Sequence, residues 1–321
     1  MPHPPQPLAS LVQIHTSRSR RDGIPAALED DLRVAGCMLI QEVGILLELP
    51  QSTMATAQVL FHRFFYVSSM RSFSVHDTAI ASLYLSTKLC ETPIRLKTLL
   101  ATYLIVLRRT QHLRRSLRAE DPQMRDLEEA AQSETTFEVP PAHASVWWSM
   151  KEAVCVAEMQ ILKRLGFNMQ IDLPYSHVVN YCKILDLVAV PGIVQHSWAI
   201  LNDALQTPIY THHPPPTLAC FAIHLATRLQ GVPLPDQWWI LFDASLDDIE
   251  ACCGWVLRLW SRWGTSSTRS QAVGATEGEG EEEAERCMRW SRTWKLASSR
   301  HYVKGFVETG KVEGEYGWIN I

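Results

Sequence analysis

Apolar residues recur at intervals of three and four through residues 35–49, 54–66, 77–93 and 146–167, and again through 175–187, 193–205, 219–229 and 246–260. That period belongs to helices with one buried face. Proline punctuates the pattern. Pro50, Pro93, Pro174, Pro191, Pro214, Pro215, Pro216, Pro233 and Pro235 all fall between the segments, where a fixed φ and a missing N–H start or end helices rather than break them. No run of alternating β-branched residues bounded by hairpin turns competes. The pattern predicts an all-α chain.

The two series are copies of one another. Ala79, Leu83, Leu85, Thr87, Lys88 and Leu89 reappear 140 positions later as Ala219, Ile223, Leu225, Thr227, Arg228 and Leu229. The neighbouring segments agree, with two apolar-periodic stretches before each copy and one long amphipathic stretch after it. Internal repetition of this kind means a duplicated fold, here two units of about five helices. Residues 30–168 are expected to form the first unit, with a loop insert at about 108–145, and 169–262 the second. Residues 1–29 read as a flexible arm, proline-rich at the start and carrying the short basic run Ser17-Arg-Ser-Arg-Arg21.

Composition narrows the picture further. In 321 residues, 46% hydrophobic content suffices for two helical cores. A net charge of −4 gives no global attraction to nucleic acid. The longest apolar run, 98–107, is far too short to cross a bilayer, and Met1-Pro-His-Pro-Pro has neither the basic start nor the apolar core of a secretory signal. Cys37, Cys155, Cys182, Cys220, Cys252 and Cys253 sit inside helical apolar patterns, as small buried hydrophobes do, which predicts a reducing intracellular setting. The insert starts basic (Arg108, Arg109, Arg114, Arg115, Arg118) and turns acidic (Glu120, Asp121, Asp126, Glu128, Glu129). Residues 263–321 carry Glu277, Glu279, Glu281, Glu282, Glu283 and Glu285, a composition that buries too little surface to fold alone, so a disordered tail is expected. Trp290, Trp294, Tyr302 and Trp318 in that tail have no physical account.

Few residues invite chemistry. Glu158 lies on the apolar stripe of Val154, Ile161, Leu162 and Leu165 with no Lys or Arg three or four residues away. Burial of an unpaired carboxylate is costly, so a partner must come from elsewhere. Lys88 ends its helix at the edge of an apolar face. It either complements the helix C-terminus and pairs internally with Glu158, or both side chains are held for a partner. His62 and Arg63, among Phe61, Phe64 and Phe65, read as core or surface residues. His212, His213, Cys220 and His224 lack a second ligand pair at finger-like spacing, so no metal is expected. No glycine-rich phosphate loop or oxyanion-type turn accompanies any candidate nucleophile, so neither a cofactor nor an enzymatic activity is expected.

The duplicated five-helix pattern, with Leu85-Ser-Thr-Lys-Leu-Cys-Glu91 closing the third helix, resembles the cyclin box. The run from Gly36 to Pro50, the run from Met54 to Tyr66, Ile161-Leu-Lys-Arg-Leu-Gly-Phe167 and the run from Pro233 to Phe242 are similar to the transcriptional cyclins, and among them to the L-type cyclins linked to pre-mRNA splicing. The likeness spans roughly residues 30–262. It implies a regulatory subunit in the nucleus that binds and activates a cyclin-dependent serine/threonine kinase as a heterodimer, in RNA polymerase II transcription or splicing. Splicing or transcription factors would be further partners; contact with membrane or nucleic acid is not implied. In cyclins a Lys at the end of the third helix and a Glu in the fifth bond the backbone before the kinase C-helix, and Lys88 and Glu158 match those positions. The acidic residue usual two places after the Lys is Cys90 here, with Glu91 following. Arg33 is a poor match to the early arginine of cell-cycle cyclins, and no role is carried to it. The alternative is a cyclin-fold general transcription factor or scaffold, which would need a basic face across both repeats.

Overall fold

The computed structural model describes residues 7–118 and 145–268. Eleven α-helices are present among them. Two short ones, α1 (Leu11–His15) and α2 (Arg18–Arg21), precede a first unit of α3 (Ala26–Leu46), α4 (Gln51–Val67), α5 (Val75–Leu89), α6 (Leu96–Arg118) and α7 (Ser145–Arg164). The second unit comprises α8 (Tyr175–Ile184), α9 (Ile193–Ala204), α10 (Pro215–Gln230) and α11 (Leu246–Thr268). At the place of a fourth helix it has only a 3-10 segment, Trp238–Phe242. Gln237 and Asp243 hold φ of +54° on either side of that segment, which stops it from growing.

Each unit wraps around its central helix. In α5, Ala79, Ala81, Ser82 and Ser86 are fully buried, small enough to let α3, α4 and α7 approach closely. The matching helix α10 buries every residue from Leu218 to Ile223. Capping follows the sequence signals: the Ser74 hydroxyl accepts the Asp77 amide at the start of α5, and Pro215 occupies the first turn of α10. Gly36 allows α3 to lie on α4, because a Cβ there would stand 2.1 Å from the Phe61 ring.

The repeat extends past the helices into their caps. The Thr92 amide bonds the Thr87 carbonyl at 2.9 Å, and 140 positions on the Val232 amide bonds the Thr227 carbonyl at 2.9 Å. Both turns need a left-handed residue. Gly231 supplies it at φ +68°, and Glu91 supplies it at φ +54°.

Four expectations are corrected. Residues 7–29 are not a free arm: Ile14, Ser17, Ser19 and Ile24 are buried, and the Glu29 carboxylate gathers hydrogen bonds from Ser17 and Arg20. Long-range pairing of this kind leaves no periodicity to read. The insert does not begin at 108, because α6 continues to Arg118 through residues that favour helix. Cys155 is exposed, since the apolar pattern around it runs over two faces of α7 rather than one. The expected disordered tail does not begin at 263 either, because α11 continues to Thr268; residues 1–6, 119–144 and 269–321, with the acidic half of the insert and the rest of that tail, lie outside the described residues.

The units share α4. Met54, Ala57, Leu60, Phe61, Phe64 and Phe65 belong to the first core, whereas Ala55 and Val59 belong to the second. Polar groups line the same seam. The His62 ring meets the Leu205 carbonyl at 3.0 Å through Nε2, and Tyr66 Oη meets His212 Nε2 at 2.8 Å. Arg33 donates to the carbonyls of His62 and Phe65, both at 3.2 Å, and lies 4.6 Å from the Tyr66 ring centroid. Burial, reinforced by the nearby Arg33 charge, lowers the imidazole of His62 to about 3. Burial, with His213 and Arg33, does the same for His212, again to about 3. Both rings are neutral in the fold and titrate near 6.5 once unfolded. Stability is therefore full above pH 6.5 and is lost as the pH falls, by about 1.4 kcal/mol per pH unit for each ring. Denaturant titrations at pH 7 and 5.5 are expected to show that loss; equal midpoints would rule out neutral buried imidazoles.

Candidate partner-binding face

The last turn of α5 and the middle of α7 meet at the surface of the first unit. Lys88 Nζ donates to Glu158 Oε1 at 2.5 Å and sits 4.1 Å from the Tyr84 ring centroid. The Glu158 side chain keeps 14% of its surface and Lys88 keeps 45%. Glu158 thus finds the partner that its own helix lacks, and the pair remains open to solvent along the lysine. The internal pairing and the partner-held arrangement are not exclusive: a cation with three donors and a two-oxygen acceptor can exchange this bond for backbone groups of a second chain.

Glu91 stands two residues beyond the end of α5, exposed, next to the pair along the chain. Its left-handed backbone costs about 1 kcal/mol relative to glycine. Replacement by the residue that its repeat counterpart already carries, Glu91→Gly, is expected to raise stability by roughly 0.5–1 kcal/mol. Thermal melting checks this; a lowered midpoint would show that the carboxylate, not the backbone, dominates at that position.

Sequence reasoning missed the rest of the face. Trp148, Val156 and Met159 of α7 and Leu89 of α5 are exposed. Trp148, Cys155 and Met159 follow each other at helical spacing on the side of α7 turned away from Val154, Ala157 and Ile161 in the core. Beside them, Leu96, Lys97, Leu100, Trp147, Trp148 and Lys151 line an open cavity of about 230 Å³ between α6 and α7. The Lys151 ammonium lies 5.3 Å from the Trp148 ring centroid. The available signal was that α7 is apolar on two faces when only one is needed for its core. Exposed apolar residues beside a charged pair are a usual anatomy of a protein–protein contact.

The first unit, five helices with Lys88 and Glu158 joining the third and the fifth, coincides with a known domain. Residues 12–170 match the family described as Cyclin, N-terminal domain. The chain belongs to the cyclin family. This cyclin is 34% identical over 257 residues to Cyclin-L1 of Gallus gallus, an alignment covering 78% of the chain and 44% of that relative. It is 35% identical over 248 residues to Cyclin-L1 of Homo sapiens (76% and 42%) and 36% identical over 255 residues to Cyclin-L1-1 of Oryza sativa subsp. japonica (78% and 53%). The chain spans about half the length of these curated relatives. Among solved structures, a chain of the yeast RNA Pol II CTD kinase CTDK-1 complex superposes with a TM-score of 0.59 at 15% identity, covering 94% of this chain and 90% of that one. At that identity the likeness concerns the fold.

The other candidates fall elsewhere. His62 and His212 belong to the seam between the units, and His213 Nδ1 lies 3.8 Å from Asp248. Arg63 Nη1 donates to the Gln170 carbonyl at 2.8 Å, tying α4 to the segment that joins the two units. Cys220 is buried in the second core. Among the described residues, no three His, Cys, Asp or Glu side chains are grouped so as to hold a metal, and no helix is long and apolar enough to cross a membrane. Arg33, to which the resemblance carried no role, is buried in an ion-pair network instead of facing a partner.

Proposed function

We propose that this cyclin is the regulatory subunit of a cyclin-dependent serine/threonine kinase acting in the nucleus, in RNA polymerase II transcription or pre-mRNA splicing. The chain performs no chemistry of its own. The observation that carries the reading is the Lys88–Glu158 pair at an open surface, with the exposed Leu89 next to Lys88 and the exposed Met159 next to Glu158 along their helices. On binding, the Lys88 ammonium donates to a backbone carbonyl and Glu158 accepts a backbone amide of the kinase segment before its C-helix. Glu91 adds a third polar contact, and the exposed apolar residues cover the helix itself. Held inward, the C-helix completes the Lys–Glu pair of the kinase and frees its activation loop, a population shift toward the active state. The similarity to L-type cyclins supports this cellular setting.

Purification of the tagged full chain from nuclear extract tests it. A serine/threonine kinase is expected to co-purify in equal amount and to phosphorylate a peptide from the C-terminal domain of RNA polymerase II. Recovery without a kinase, or with a kinase that the chain does not stimulate, would overturn the assignment.

A further inference from the structure

The basic run Ser17–Arg21 is left unused by the proposed kinase face, and the structure places it in an unusual position. Residues 9–24 strap the two units together. The Ala9 amide bonds the Thr211 carbonyl of the second unit at 2.6 Å. At the other end, Arg71 Nη1 bonds the Asp22 carbonyl at 3.2 Å, and the Met70 amide donates to Ser19 Oγ at 3.0 Å, both in the first unit. Ser17 Oγ donates to Glu29 Oε2 at 2.7 Å while accepting the Arg20 amide at 3.3 Å. Glu29 Oε2 also takes Arg20 Nε at 2.7 Å. Ser17 and Ser19 are 1% and 0% exposed. Arg18 and Arg21, beside them in the chain, are exposed. The arginines therefore stand outside, where another protein can read them, and the hydroxyls point in.

We propose that Ser17 and Ser19 are phosphate acceptors for a protein kinase that selects serines flanked by arginine, and that the phosphorylated segment cannot return to its seat. In the transfer, Oγ attacks the γ-phosphorus of ATP and the bond to the β-phosphate oxygen breaks. ADP leaves, and the hydroxyl proton passes to the base of the modifying enzyme. A phosphate on Ser17 brings close to two negative charges against the buried Glu29 carboxylate, and one on Ser19 has no room where the Met70 amide now bonds. Undocked, the same phosphates pair with Arg18, Arg20 and Arg21, which favours the open form further. The acceptors are reached through local opening of the strap: α2 is a single turn, and such segments open far more readily than a core helix.

The test incubates the full chain with Mg-ATP and a kinase specific for arginine–serine dipeptides, maps phosphate by peptide mass, and follows amide hydrogen exchange. Phosphate is expected on Ser17 and Ser19, followed by exchange at least about 10-fold faster at Met70 and over residues 19–24. Because opening limits the reaction, Glu29→Gln, which weakens the charged hydrogen bonds, is expected to speed incorporation about 10-fold. Two results would overturn the proposal: serines left bare in both proteins, whether or not a peptide of residues 10–24 is modified, or phosphate incorporated with exchange unchanged. Should Glu29→Gln not fold, phosphate mapping and exchange on the native chain still decide.

Discussion

Lys88→Ala and Glu158→Ala are each expected to leave the free cyclin folded while weakening its kinase by about 30-fold or more. The two halves of that expectation rest on different environments of one pair. In the free chain the lysine is 45% exposed, and a solvent-exposed ion pair contributes about 0–1 kcal/mol. Its loss moves the melting temperature by no more than about 2–4 °C in a domain of this size. In the complex the same groups face backbone amides and carbonyls under a covering helix. Truncation of a charged group in such a desolvated contact costs about 2–5 kcal/mol, a factor of roughly 30 upward in Kd. Melting of each purified variant beside titration calorimetry with the kinase separates the possibilities. Unchanged binding would remove the pair from the interface, and a collapse of melting together with binding would make it a structural tie.

Glu29→Ala is expected to cost about 3–5 kcal/mol of stability, the largest effect of a single substitution outside the cores. Arg33 Nη2 and Nε bond Glu29 Oε1 at 2.7 and 3.2 Å, with side chains 3% and 1% exposed. Burial alone would raise the Glu29 carboxyl, but the Arg33 charge and hydrogen bonds from Ser17, Arg33 and Arg20 outweigh it and hold the group below its ordinary value. Alanine leaves the guanidinium buried with carbonyls and only the lesser attraction of Asp30 as counter-charge. The double replacement Glu29→Leu with Arg33→Met removes both charges and is expected to recover most of the loss, since apolar residues of similar volume often substitute for a buried pair at little cost. Urea unfolding of the three proteins decides it; a Glu29→Ala loss under about 1 kcal/mol would mean that water reaches Arg33.

Helical periodicity and proline placement made the two units legible because each helix buries one face, and a buried face writes itself into the sequence at fixed intervals. The repeat was legible for a related reason: Thr87 and Thr227 do the same job, bonding carbonyls three or four residues back in their own helices. Lys88 and Glu158 were readable as odd charges on apolar faces, and their pairing across 70 residues was one of two alternatives that the sequence left open. What stayed hidden has no period. The seat of Ser17 and Ser19 depends on Glu29 and Met70, distant in sequence, and polar residues bound to polar residues look the same as a solvated arm. Trp148 and Met159 were hidden differently. Their apolar character was visible, but an apolar position is assigned to a core by default, and only the packed helix shows which side has no neighbour.

The division of α4 between two cores has a consequence for how the molecule comes apart. Ala55 and Val59 face the second unit from a helix whose other side anchors Phe61, Phe64 and Phe65 in the first. Neither unit is sealed without its sibling. A chain cut at the junction near residue 170 would present that stripe of α4 to water and invite self-association, so a first unit made alone should be prone to clump. Calorimetry of the intact chain should show one heat-absorption peak rather than two, the helix acting as a shared hinge pin whose withdrawal opens both rooms at once.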